Sequence, residues 1–208
     1  MQRPDLIIAT GNLHKVEEMR DQLGAWFNVQ GLPTSYESPI EDGDSFHANA
    51  RIKSETAAKR LHALCLADDS GICVDYLDGA PGIFSARYAG KEGDDEANND
   101  RLLLELANVP VGERGARFIC ALSLATPQGE IAAFEGRFEG QVGFERRGEG
   151  GFGYDPLFML PEGKSSAELD AQEKRRRSHR GQALALMAQA LDESGLLLRC
   201  IVAKDVND

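Results

Sequence analysis

The feature that most constrains what this chain can fold into lies near its start. Leu6-Ile7-Ile8-Ala9 is a short apolar run that stops at Thr10-Gly11-Asn12. From Lys15 the apolar spacing becomes helical, with Val16, Met19, Leu23 and Trp26 three, four and three positions apart. This reads as strand, tight loop, helix. A second helix starts after Glu41-Asp42-Gly43 with Asp44 or Ser45 as its cap and runs towards Leu64, so Asn49 and Lys53 share one face at i and i+4.

Further on, Cys65-Leu66-Ala67 and Ile72-Cys73-Val74 read as two short strand-like pieces around a polar corner or bulge at Asp68-Asp69-Ser70-Gly71. Pro81-Gly82 and Ala89-Gly90 mark loop, and Asn98 to Leu106 returns to a helical pattern. Ala116 to Ala125 and Glu130 to Gly140 form a hairpin through Thr126-Pro127-Gln128-Gly129. Gly148 to Gly153 holds four glycines in six positions and leads through Tyr154-Asp155-Pro156 into a short strand at Leu157-Phe158-Met159. A helix from about Gly181 to Glu193 carries Leu184, Met187, Ala188 and Leu191 on one stripe. With no internal repeat, no long linker and no strict βαβ alternation, the expectation is a mixed α/β (α+β) fold. The 208 residues, at roughly 150 per domain, point to a single domain over 1–208 with room for two lobes.

Composition narrows the class of function. Acidic residues number 34 against 23 basic ones, a net charge of −11, which argues against a surface built to hold duplex nucleic acid. Cys65, Cys73, Cys120 and Cys200 show no CxxC spacing, and Met1-Gln2-Arg3-Pro4-Asp5 lacks a signal-peptide core, so a reduced, cytoplasmic setting is expected. Apolar runs such as Leu102 to Leu104 and Leu196 to Leu198 fall far short of the roughly 20 residues of a membrane helix, and no membrane partner is expected.

Three segments can carry chemistry. Thr10-Gly11-Asn12-Leu13-His14-Lys15 sits where a strand enters a helix, and free backbone N–H groups there favour an anion. The ordinary alternative is an Asn12 cap with Lys15 in solvent, and the spacing is not that of a P-loop. Asp68-Asp69 places adjacent carboxylates among apolar residues, where cations or donors must compensate them. Mg2+ suits such hard oxygens, with Glu41 as a candidate third carboxylate; an Asx-capped turn explains the same residues without a metal. Lys174-Arg175-Arg176-Arg177-Ser178-His179-Arg180 carries six cationic or potentially cationic side chains in seven positions. A solvated face is the usual reading, although the helix that follows allows some members to turn inward. His14, His47 and His62 show no metal-ligand spacing, and Ser70 has no triad context.

Taken in order, these segments resemble one family. Thr10-Gly11-Asn12 with Lys15, Ser45-Phe46 with Asn49 and Lys53, Ala67-Asp68-Asp69-Ser70-Gly71, Gly79-Ala80-Pro81-Gly82 with Ser85-Ala86-Arg87-Tyr88, Gly150 to Pro156, and Ser178-His179-Arg180 are similar to the inosine triphosphate pyrophosphatase (RdgB/HAM1-like) family. The resemblance runs from Leu6 to about Leu191. It implies Mg2+-dependent hydrolysis of dITP, ITP and XTP to the monophosphate and pyrophosphate, a housekeeping role in the nucleotide pool. It also implies two lobes around a central twisted sheet with the active cleft between them, and a homodimer.

Carried over by the resemblance, Thr10, Gly11, Asn12, Leu13, His14 and Lys15 hold phosphate, Lys53 reaches the triphosphate and Ser70 touches substrate. Asp69 accepts a proton and, with Glu41, holds the metal, Asp68 being a further candidate ligand. Phe152, Gly153, Tyr154, Asp155, Lys174, His179 and Arg180 bind and read the base, while Arg175 to Arg177 match no family position. Where many relatives carry an acidic residue before the helix asparagine, this chain has Ala48, a departure that bears on metal requirement. Two other readings stand beside this one. A Maf-like pyrophosphatase of different base preference is opposed by Ser178-His179-Arg180, and a non-catalytic nucleotide-binding regulator is opposed by Asp69 with its metal partner.

Overall fold

A computed structural model describes residues 3–205; the five residues at the two ends of the expected 1–208 span lie outside the described residues. Strand β1 (Asp5–Ile8) leads into helix α1 (Leu13–Leu23), which buries Val16, Met19 and Leu23. Asn12 caps α1, its side chain accepting the His14 and Lys15 backbone N–H groups. Trp26 falls beyond the helix, which ends at Gly24, and its indole N–H instead donates to Asp192 at 2.8 Å. Strand β2 (Asn28–Gly31) follows and lies parallel to β1.

Helix α2 (Phe46–Leu61) is capped by Ser45 and stops at His62, whose left-handed backbone ends it short of the expected Leu64. The polar corner expected at Asp68–Gly71 does not exist: Cys65–Val74 is one unbroken strand, β3. Helix α3 (Asp95–Glu105) starts three residues before the expected Asn98. Strands β4 (Gly115–Thr126) and β5 (Gly129–Val142) are neighbours joined through Pro127-Gln128, the expected hairpin with longer arms. Strand β6 (Phe158–Met159) pairs antiparallel with β5. Helix α4 (Ala171–Arg177) holds most of the basic run, α5 spans His179–Glu193, and α6 (Leu196–Asp205) follows. The six strands form one mixed sheet in the order β2-β1-β3-β4-β5-β6, so the fold is mixed α/β.

The chain divides into two compact units, the first made of residues 1–69, 120–136 and 182–208, the second of 70–119 and 137–181. In the first, Leu6, Ile8, Met19, Leu23, Leu66 and Leu184 are sealed from water, each contributing on the order of 1.5–3 kcal/mol. A second cluster in that unit is built from small side chains: Ala9, Ala57, Ala58, Ala67 and Ala125 around Cys65. Small residues on both sides let α2 lie close to the sheet, which sets the depth of the functional groups α2 carries. The second unit has its own core, with Ile72, Val74, Leu102, Phe118 and Phe158 at its centre. All four cysteines are free thiols, and burial pushes Cys65 up to about 12. No described helix is long and apolar enough to cross a membrane.

Candidate active site

Strand geometry explains how two adjacent carboxylates survive inside the first unit. Successive side chains of an extended strand point to opposite faces, and each aspartate of β3 meets a different lysine. Lys15, from the first turn of α1, reaches Asp68 at 2.9 Å. Lys53, from the middle of α2, reaches Asp69 at 2.9 Å and Glu41 at 2.8 Å. Lys15 is therefore only 18% exposed at its side chain, paired rather than solvated. Compensation that the sequence reading gave chiefly to a metal is supplied in part by two ammonium groups.

Burial alone would drive Lys53 towards its neutral form, but the charges of Asp69, Asp68 and Glu41 outweigh it and hold the ammonium above its ordinary range. Asp69 is raised too: burial is the main cause, Lys53 opposes it, and Glu41 and Asp68 add repulsion. A carboxylate so placed is a stronger base than one in water while still having a cation beside it. Asn49 holds this arrangement from behind, accepting the Gly43 N–H at 2.9 Å and donating to Asp69 at 3.4 Å. A Cβ on Gly43 would sit 2.7 Å from the Asn49 oxygen and 2.8 Å from the Ala48 methyl, so the loop after Glu41 needs glycine there and leaves little room beside residue 48.

Among the described residues no group of three His, Cys, Asp or Glu side chains is placed to hold a metal. Glu41 and Asp69 nevertheless offer hard oxygens, and Mg2+ commonly takes one or two carboxylates and completes its shell with water and phosphate. The donor set fits a metal that arrives with a polyphosphate. Thr10, Gly11, Leu13 and His14 surround the α1 N-terminus, with Gly11, Leu13 and His14 exposed.

In the second unit the glycine-rich segment is a tight, fully engaged turn. Asp155 is buried; one oxygen accepts from Ser166 at 2.8 Å, the other from the Phe152 N–H at 2.9 Å and from the Lys174 ammonium. Gly151 has φ +77, and a Cβ there would strike the Asp155 carboxylate and lie 2.6 Å from Lys174, so only glycine fits. Tyr154 is buried, its phenol donating to the Ser85 carbonyl at 2.8 Å. Phe152 stays 40% exposed, with Lys174 at 5.0 Å and Arg180 at 5.8 Å from its ring centroid. Arg180 reaches the Ser70 hydroxyl at 3.5 Å, and His179 stacks on Phe118 at 4.9 Å. The basic run is thus split. Lys174, His179 and Arg180 turn inward, and Arg177 pairs with Glu162. Arg175 and Arg176 belong to α4, whose residues are all at least partly exposed.

The second unit therefore gathers Phe152, Tyr154, Asp155, Lys174 and Arg180, and the first gathers Glu41, Lys53, Asp69, Lys15 and Asp68. Sequence reasoning assigned no role to Ser166, which bonds Asp155 11 residues away, nor to Asp95 and Asn99, whose partner Gly153 lies 58 and 54 residues away; a serine or asparagine in such a stretch gives no signal by itself.

The sequence pattern of the Ham1 family matches residues 6–190. The chain belongs to the Ham1 family. It is 48% identical over 190 residues to a dITP/XTP pyrophosphatase of Exiguobacterium sibiricum, covering 89% of this chain and 96% of that protein. A dITP/XTP pyrophosphatase of Rhodopirellula baltica is 47% identical over 192 residues, covering 90% and 92%. Among solved structures, the Ham1 protein of Staphylococcus aureus superposes with a TM-score of 0.82 at 38% identity over 91% of this chain and 99% of that one. A Ham1 protein of Coxiella burnetii gives 0.83 at 37%, with the same coverage.

Proposed function

We propose that this Ham1 family member hydrolyses the non-standard purine nucleoside triphosphates dITP, ITP and XTP to the monophosphate and pyrophosphate. The observation that carries the reading is Lys53 shared between Glu41 and Asp69, with the Asp69 carboxyl held above its ordinary range. The names of the Ham1 relatives supply the substrate class.

In this reading Lys15, Lys53 and the segment from Thr10 to His14 at the N-terminus of α1 neutralise and orient the triphosphate. Substitution at phosphorus depends chiefly on such positioning and charge cancellation. Asp69 takes the proton of the attacking water, and Lys53 keeps that carboxylate oriented. Glu41 and Asp69, with Asp68 as a further candidate, would hold Mg2+, which when bound supplies charge neutralisation on the phosphates. Phe152 offers a ring face to the purine. His179 and Arg180 supply donors for the six-position keto oxygen of hypoxanthine or xanthine, which the amino group of adenine would leave unpaired. Asp155, whose carboxylate accepts from the Phe152 N–H, the Ser166 hydroxyl and the Lys174 ammonium, serves base recognition by fixing its neighbours. A homodimer and a cytoplasmic setting belong to the same reading.

The test is hydrolysis of dITP and dATP with Mg2+, with and without excess chelator, the products separated by chromatography. Deoxyinosine monophosphate and intact pyrophosphate, a strong preference for dITP, and loss of turnover in chelator are expected. Diphosphate with inorganic phosphate, or equal use of dATP, would overturn the reading.

A further inference from the structure

The glycine-rich turn is not held by its own residues alone. Both main-chain polar groups of Gly153 are taken by the first turns of α3: its N–H donates to Asp95 Oδ2 at 2.7 Å, and its carbonyl accepts from Asn99 Nδ2 at 2.8 Å. Asn99 is buried, and its second amide hydrogen donates to the Asp95 carbonyl at 2.8 Å. With two carbonyls as partners the amide has only one allowed orientation, since the flipped form would set oxygen against oxygen. That orientation leaves Asn99 Oδ1 buried with no hydrogen-bond partner, a costly arrangement that the contact to Gly153 requires.

The neighbouring Asn98 ties the same helix to the segment before it, accepting the Ala89 N–H at 2.7 Å and donating to the Ala86 carbonyl at 3.3 Å. That segment in turn receives the Tyr154 phenol at Ser85. Two successive residues of the turn, Gly153 and Tyr154, are therefore anchored to α3 and to the stretch α3 fixes. Phe152, immediately before them, is the residue left exposed beneath Lys174 and Arg180. Gly153 itself has φ +62 and open space at its Cβ position, so no packing on that side holds it, and the two hydrogen bonds from α3 fix its main chain.

We infer that Asp95 and Asn99 are positioning residues for substrate selection, clamping the Gly153 peptide so that the Phe152 ring and its two cations keep one arrangement for the purine. The inference rests on the nucleotide pyrophosphatase reading above. Loosening the clamp weakens ground-state binding of the base and its discrimination, and leaves the Asp69 chemistry alone, so KM rises while kcat holds.

Steady-state constants for dITP and dATP are measured in the wild type, Asp95→Ala, Asp95→Asn, Asn99→Ala and Glu96→Gln, with amide exchange at Gly153 followed by NMR in the substrate-free protein. Asp95→Asn keeps an acceptor for the Gly153 N–H, and Glu96→Gln removes a first-turn acid of α3 that does not touch the turn. Asp95→Ala and Asn99→Ala should raise KM for dITP about fivefold or more, keep kcat within about twofold and narrow the dITP-to-dATP ratio. Gly153 exchange should quicken about tenfold in Asp95→Ala, and the Asn and Gln variants should match the wild type. If Asn99→Ala does not fold, the exposed Asp95→Ala decides alone. Unchanged KM and ratio in Asp95→Ala, faster exchange notwithstanding, would overturn the inference, as would equal losses in Glu96→Gln. Absence of dITP hydrolysis by the wild type would instead overturn the functional reading.

Discussion

The first unit holds Lys15 and Lys53 on helices and sets them against carboxylates on strand β3, so three regular elements fix the charges by their own repeat. The second unit sets Lys174 and Arg180 over Phe152 on an irregular turn, and holds that turn with side chains from α3, the Ser85 carbonyl and the Ser166 hydroxyl. Regular elements place a charge at little cost in bonds, whereas a turn needs a separate anchor for nearly every peptide. In the first unit, then, losing a side chain removes chemistry; in the second, losing an anchor blurs recognition.

The largest effect that tests this contrast is expected at Asp69. Asp69→Asn should lower turnover by a factor of about a hundred or more while nucleotide binding and melting temperature stay near wild type. Near-normal turnover, measured in the same assay, would take Asp69 out of the proton-accepting role. Next comes the turn. Gly151→Ala places a methyl on the Asp155–Lys174 pair and strains a positive φ, whereas Gly153→Ala strains φ alone. The first should raise KM for dITP about tenfold and the second distinctly less, each carrying strain of roughly 1–2 kcal/mol. Equal effects would mean that backbone strain, and not the Asp155–Lys174 pair, governs the turn.

The smallest effect is electrostatic. In metal-free protein the Asp69 carboxyl should titrate above the ordinary aspartate range because burial and the charges of Glu41 and Asp68 outweigh Lys53. Glu41→Gln removes one of those negative charges, so Asp69 should lose its proton at lower pH than in the wild type, read by carboxyl carbon NMR. Because the folded form resists ionising Asp69, that carboxyl opposes folding as pH rises through its titration, and the variant should relieve part of this opposition. A rise instead of a fall would show that Glu41 acts on Asp69 mainly by holding Lys53.

Much of the first unit was legible because its spacing is periodic. Val16, Met19 and Leu23 marked α1, Asn12 its cap, and Asn49 with Lys53 one face of α2. Strand β3 was misread because Asp68-Asp69-Ser70-Gly71 has the composition of a turn; lysines distant in sequence keep those carboxylates inside a strand. Helix α4 was hidden because Lys174 to Arg177 offers no apolar stripe, its N-terminus being set by the Asp170 cap instead. The anchors of the turn were not legible at all. Asn99 and Gly153 are 54 residues apart, and the same asparagine in a solvent-facing helix would look no different.

One property of β3 bears on how this chain can change over time. Its passage from the first unit to the second falls between Asp69 and Ser70, inside a continuous strand and not in a loop. A loop absorbs an extra residue; a strand does so only by bulging, and without a bulge a one-residue shift sends every later side chain to the opposite face. An unbulged insertion there would turn Ile72 and Val74, now fully buried, out of the second unit's core. Both units also return to the chain again after residues 119, 136 and 181, so neither can be lost, borrowed or expressed as one continuous stretch. Insertions and deletions are therefore expected to be tolerated in the outer loops and to be costly within β3.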